Sequence, residues 1–293
     1  MGYDFFDCDI CIGLRGIAYP GSYNIGDIGD ENGCYGGECS GVGGGGEYSG
    51  VGGKCGGSGS GSGGRAATDW LAAAMRHYGI SRALVYHSMA RENNAELGNR
   101  MLAEDISGMN NLLPVWIVMP HHTEEFINPR ELPGKMKAAG VKAVRMFPSE
   151  QEQNYGLNER NCGELFSMFE NHEIPLLIGK DQMSWDELCA ICERHKNLKI
   201  ILCNLTYSMN RNLYPILSLH SNIFLETYGY KVQNGIEEIC RLFGAERLIF
   251  GSGMPRLSGA AAVSMITYAR ISDEEKKLIA YGNLDALISG VIF

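Results

Sequence analysis

"TDWLAAAMRHYGISRALVYH", Thr68 to His87, changes period halfway along. Thr68 opens a helix that Gly79 terminates, and "SRALVYH" follows as a strand. The same rhythm repeats down the chain. A helix from Glu92 to Ile106 precedes the strand "LLPVWIVM", one from Arg130 to Ala139 precedes "KAVRMF", and one from Asn161 to Asn171 precedes "IPLLI". Then "SWDELCAICERH" leads to "LKIILC", "NRNLYPILSLH" to "NIFLET", and "NGIEEICRLFG" to "RLIFGS". A last helical stretch runs from Ser258 to Leu287, where "SDEEK" supplies an N-cap and an acidic first turn. With "FDCDICIG" (Phe6 to Gly13) placed first, the chain reads as eight strands, each followed by a helix. Apolar strands alternating with amphipathic helices build parallel sheets buried on both faces. Eight such units over roughly 250 residues predict an α/β fold, a single (β/α)8 TIM barrel spanning residues 1–293. A doubly wound sheet is the alternative, but it calls for five or six units.

"FDCDICIG" carries three carboxylate or thiolate candidates in an otherwise apolar strand. Strict alternation puts Asp7, Asp9 and Cys11 on one face and Cys8, Ile10 and Ile12 on the other. Cys8 and Cys11 are spaced like a redox dithiol yet point apart, which leaves a metal or catalytic face of Asp9 and Cys11, or a structural strand.

Composition bounds the function. The 293 residues contain 45% hydrophobic side chains, enough for a large core. A net charge of -9 with no basic run argues against a nucleic-acid partner. No apolar run is long enough to cross a bilayer, so no membrane association is expected. The N-terminus lacks the basic segment and apolar core of a secretory signal. Ten cysteines, several inside apolar segments, fit a reducing compartment, and the expected location is cytoplasmic.

One segment breaks the rhythm. Residues 27–64, between the first strand and its helix, form a Gly-, Ser- and Cys-rich tract that buries too little side chain to offset its ordering entropy. It reads as a flexible insertion in the first βα loop, over the barrel's working face. Cys34, Cys39 and Cys55 within it match neither zinc-knuckle nor ferredoxin spacing.

Barrel chemistry uses the C-terminal ends of strands and the loops after them. The side chains placed there are Asp9 and Cys11, His87 with Arg91, His121 with His122, Arg145, Lys180 with Asp181, Asn204 with Tyr207, Glu226 with Tyr228, and Ser252. "FDCDICIG" at the first strand, "FGAERLIFGSGMP" at the eighth and "ISDEEKKLIAYGNLDAL" at the end resemble the amidohydrolase-related family of metal-dependent TIM-barrel hydrolases and decarboxylases. That family typically reads I-D-x-H-x-H, R-hydrophobic-F-G-S-D-x-P and L-s-x-E-E-x-x-x-I-x-x-x-N at these places. The resemblance covers nearly the whole chain outside the glycine-rich tract. It implies a divalent metal, zinc for instance, held by His-x-His, by histidines after strands five and six, and by a strand-eight Asp that also accepts a proton.

This chain departs from that pattern at each ligand. Asp9 and Cys11 replace His-x-His, Gly179 or Lys180 and Asn204 stand at the later histidine positions, and Gly253 replaces the Asp. Zinc catalysis needs about three protein ligands and an open position for water. The resemblance therefore implies a branch whose metal is held in a nonstandard way by Asp9 and Cys11, or is absent.

Each candidate carries two readings. Asp9 is a catalytic acid or base, or a barrel carboxylate that needs Arg145 as its partner. His87 is its acid-base counterpart, or a structural histidine. Arg145, Lys180, Asn204 and Arg91 bind an anionic substrate, or close internal salt bridges. The leading expectation is a hydrolase or carboxy-lyase for a small carboxylate. The alternatives are a catalytically silent barrel that binds a ligand or partner, and a thiol-ligated metal or cluster protein. A homo-oligomer is left open.

Overall fold

The structure, a computed structural model, describes residues 2–13 and 62–293. Cys34, Cys39, Cys55 and nearly all of the glycine-rich tract lie outside the described residues. Eight parallel strands lie side by side in chain order: β1 (Phe5–Ile12), β2 (Ile80–His87), β3 (Leu112–Ile117), β4 (Ala143–Met146), β5 (Leu176–Gly179), β6 (Ile200–Cys203), β7 (Ile223–Glu226) and β8 (Leu248–Ile249). The last edge closes on the first: Cys8 N–H donates to the Phe250 carbonyl at 3.0 Å, and Cys11 N–H to that of Met254 at 3.2 Å. The result is the expected (β/α)8 barrel.

Helices α1 (Ser62–Tyr78), α2 (Ser88–Glu92), α3 (Ala95–Asp105), α4 (Leu132–Ala138), α5 (Glu159–Asn171), α6 (Trp185–Arg194), α7 (Asn210–Leu219) and α8 (Gly235–Phe243) connect the strands, and α9 (Gly259–Thr267), α10 (Asp273–Lys277) and α11 (Asn283–Ser289) complete the chain. Strands β4, β5 and β6 are buried along their whole length, as parallel strands roofed by helices must be.

Local chemistry sets the boundaries. The helix expected over 92–106 breaks at Asn93, because the Asn94 side chain accepts from Leu97 N–H at 2.8 Å and caps a fresh start for α3. The stretch expected as one helix over 258–287 breaks at Ser272, whose hydroxyl and Glu275 form a reciprocal capping box that opens α10. Helix α1 begins six residues before Thr68, which is buried against the core.

Arg247, just before β8, is tied to the opposite end of the barrel from the strand C-termini. Its guanidinium donates to the carbonyls of Leu217, His220, Ser221 and Ile223 at 2.6–2.8 Å, closing the end of α7 onto the start of β7. It supplies donors to carbonyls that the helix end leaves unpaired.

The first strand is not regular. Asp7 lies opposite Ala83 and Ile10 opposite Val85, so three steps on β1 match two on β2. This β-bulge breaks the strict alternation read from the sequence. Asp7 turns into the barrel wall, where its Oδ1 accepts from Asp9 N–H and from Ser252 N–H, both at 3.0 Å.

Candidate functional site

At the C-terminal ends of the strands lies a pocket of about 130 Å³. Asp9 and Cys11 of β1, Tyr86 of β2, and Arg145 with Phe147 around the end of β4 form one side. Asp181, Gln182 and Asn204 follow β5 and β6, Tyr228 follows β7, and Gly253, Met254 and Arg256 follow β8. Arg91 of α2 reaches it from above. A roomier hollow of about 540 Å³ runs between α4 and α5 on the outer wall, past Glu159, Glu164 and His172. It is open and far from the strand ends, so the smaller pocket is the chemical candidate.

Arg145 dominates the pocket floor. It is buried, its Nη1 donates to Asp9 Oδ1, and its guanidinium lies 4.6 Å from the Tyr86 ring centre and 5.1 Å from that of Phe147. Two aromatic faces and one carboxylate therefore fix it in place. Phe147 is also met by Arg91, 4.8 Å from the ring centre, which forms a fork with Glu152 (Nε to Oε2 2.9 Å). Across the pocket, Asp181 accepts from Asn204 Nδ2 at 2.9 Å and from Gln182 Nε2 at 3.1 Å. Arg256 is exposed at the rim and has no acidic partner among the described residues.

Beneath this layer lie two further carboxyl groups. Glu226, fully buried at the end of β7, accepts from Tyr228 N–H at 2.6 Å through Oε1, and its Oε2 has no hydrogen-bond partner among the described residues. Burial, then the charge of Asp9, holds its carboxyl well above the usual range. Burial pushes Asp7 up to about 7, against the hydrogen bonds from Ser252 and Asp9. Burial also raises Cys11 to about 11 and holds Cys8 and Cys203 well above the ordinary thiol range, so these barrel thiols are protonated at neutral pH.

The residues read from the sequence separate into two groups. Asp9, Cys11, Arg91, Arg145 and Asn204 meet around the pocket. His87 and Lys180 do not line it. His87 caps α2: its Nδ1 accepts from Met89 N–H at 3.0 Å, its Nε2 lies 3.4 Å from Asp105, and its ring covers Gly13. Burial lowers its pKa. Lys180 donates to the Met183 carbonyl and lies 4.5 Å from the Trp185 ring centre. His121 turns toward Glu164, 4.0 Å away, and neither it nor His122 lines the pocket. Tyr86, Phe147, Gln182 and Arg256 were not singled out from the sequence. Arg256 had a signal available: it follows "GSGMP" directly after the eighth strand.

The donor set does not fit the family's metal. Asp9 is engaged by Arg145, and Cys11 is a buried thiol. A Cβ on Gly179 would lie 2.2 Å from Asp181 Oδ1, and Asn204 is held by that same carboxylate. A Cβ on Gly253 would lie 2.4 Å from the Tyr228 ring, which fills the space a strand-eight Asp would use. Among the described residues one other grouping, Asp9, Cys203 and Glu226, has ligand atoms within 4.8 Å of one another. This grouping shares Asp9 with Arg145, whose guanidinium already holds that carboxylate.

A family model described as "Amidohydrolase" matches residues 66–284. No curated protein matches the chain. Among solved structures, 2,6-dihydroxybenzoate decarboxylase from Rhizobium superposes with a TM-score of 0.59 at 16% identity, covering 75% of this chain and 87% of that one. The 5-carboxyvanillate decarboxylase of Novosphingobium aromaticivorans, complexed with manganese, gives 0.61 at 15% identity, covering 75% and 79%. The 4-oxalomesaconate hydratase of Rhodopseudomonas palustris gives 0.62 at 16% identity, covering 77% and 82%. At these identities the structures speak for the fold, whereas the family model spans most of the sequence. The chain belongs to the amidohydrolase family.

Proposed function

We propose that the protein is an enzyme of this family, a hydrolase or carboxy-lyase acting on a small carboxylate, with a degenerate metal site. The observation that carries this reading is the charge pattern of the pocket. Arg91 and Arg145 are paired with Glu152 and Asp9, whereas Arg256 stands at the rim with no acidic partner among the described residues. An unmatched guanidinium beside a polar pocket is a receptor for a carboxylate. The two decarboxylases named above, of 2,6-dihydroxybenzoate and 5-carboxyvanillate, and the hydratase of 4-oxalomesaconate are all named for a carboxylate substrate, which supports the same class. A cavity of about 150 Å³ accommodates benzene, so the enclosed part of this pocket suits a compound of about six heavy atoms.

Asp9 and Asp181 are the pocket carboxylates placed to move a proton, and Asn204 orients Asp181. His87 is outside this arrangement and caps α2. No helix among the described residues is long and apolar enough to cross a membrane, and the seven described cysteines are free. Free thiols support a reducing location such as the cytoplasm. The test is a screen of small mono- and dicarboxylates by thermal shift and product detection, on wild type and Arg256→Ala. The reading expects stabilisation by at least one acid, turnover of it, and loss of both in the variant. Stabilisation without product would favour a ligand-binding barrel, and no response to any acid would end the proposal.

A further inference from the structure

We propose that Arg145 is a built-in cation of this barrel: its guanidinium, clamped on Asp9, occupies the electrostatic role of a bound divalent ion and keeps such an ion out. The inference deepens the degenerate-site reading above and rests on it.

Three independent features converge on Arg145. The first is its setting. A guanidinium at the floor of a barrel needs a reason to be there, since burying a charge is costly unless it is paired and enclosed by polarisable groups. Asp9 pairs with it, and Tyr86 and Phe147 cover its faces. Asp9 stands at the first position of the His-x-His motif, so the anion that would meet a metal here meets an arginine.

The second is the state of the remaining positions. Gly179 and Gly253 offer no donor atom, and the space beside each is taken by a neighbour: Asp181 with Asn204 at the first, the Tyr228 ring at the second. The pocket is rebuilt around the guanidinium.

The third is the charge beneath it. Arg145 faces Asp9 directly, and ligand atoms of Asp9, Glu226 and Cys203, one from each, lie within 4.8 Å of one another. Glu226 keeps one buried oxygen without a hydrogen-bond partner among the described residues. Without Arg145 this grouping holds two carboxyl groups and a thiol around one point, a donor set that zinc or cobalt accepts. With Arg145 present, a divalent ion would sit beside a fixed positive charge and compete with it for Asp9.

A guanidinium can hold a carboxylate or polarise a carbonyl through charge and fixed N–H donors. Proton transfer then falls to side chains such as Asp9 and Asp181.

The experiment is metal binding, read without reference to activity. Wild type, Arg145→Lys, Arg145→Met and Arg145→Ala are purified without chelator and titrated with Co²⁺, followed by its visible thiolate absorption, and with Zn²⁺, followed by elemental analysis. The expectation is no stoichiometric metal in wild type or Arg145→Lys. Arg145→Met and Arg145→Ala should bind one equivalent at least about a hundredfold more tightly, because a unit charge a few ångströms away is removed. Loss of that binding in Arg145→Met with Glu226→Gln and Cys203→Ser would locate the ion. If Arg145→Ala is poorly folded, recovery of its melting transition on adding Zn²⁺ reads the same gain. Absence of metal from every form, with no Zn²⁺ stabilisation of the variants, overturns the role assigned to Arg145 while leaving the degenerate-site reading intact. Stoichiometric metal in wild type overturns both.

Discussion

Replacing Asp7 by Asn should flatten the pH dependence of stability in the range where a buried carboxyl titrates. Asp7 is fully buried, and its carboxyl is pushed from an ordinary value of 3.8 up to about 7, chiefly by burial. The native state therefore holds this proton more tightly than the unfolded chain. Stability from this group is complete below pH 4, declines as pH rises toward 7, and is fully lost above it. A rise of about 3 pH units, at about 1.4 kcal/mol per unit, corresponds to about 4 kcal/mol. Asn cannot ionise, yet its Oδ1 can still accept from Asp9 N–H and Ser252 N–H. Urea unfolding of both proteins between about pH 4 and pH 8 gives the difference in ΔG at each pH, and titrations common to both cancel. That difference should shift in favour of Asp7→Asn by about 4 kcal/mol across the range. A difference that stays constant with pH would show that Asp7 does not titrate there, and the account of the barrel floor would fail.

Two other perturbations test the scaffold. Arg247→Ala removes one guanidinium from four carbonyls, and should lower stability by about 3–5 kcal/mol in urea unfolding, with Arg247→Lys recovering little because an ammonium lacks the planar fork. Gly253→Asp, which restores the family's residue, should cost about 2–3 kcal/mol on the same assay, since φ is +67° and the new Cβ would meet the Tyr228 ring.

The barrel was legible because its evidence is distributed. Each βα unit repeats a pattern that no single residue can spoil, and even the split of the 92–106 helix left the strand order untouched. The Asp9–Arg145 pair was legible for a different reason: a carboxylate on an inner strand needs a cation, and few strands offer one. His87 and Lys180 lie away from the pocket because position at a strand end does not fix where a side chain goes. His87 bonds to the helix that follows it, and Lys180 folds back on Met183. The β1 bulge was invisible, since it depends on pairing with β2 rather than on the residues of β1. Arg256 lay in a loop beyond the last strand, where no periodicity marks direction.

The departures from the family pattern are coupled, so a single reversion reads the cost of a clash and not the fit of the restored side chain. Gly253 and Tyr228 share one space, so an Asp at 253 has room only when the ring leaves. Gly179 stands in the same relation to Asp181 and Asn204, and Asp9 to Arg145. Residues in contact show interaction energies of roughly 0.5–3 kcal/mol, so Gly253→Asp combined with Tyr228→Gly should be less destabilised than the sum of the two single variants by an amount in that range. Additive effects in urea unfolding would mean the ring does not fill the Asp space. A clear positive coupling would mean that Gly253 and the Tyr228 ring form one structural unit, so that an Asp at 253 finds room only when both positions change together.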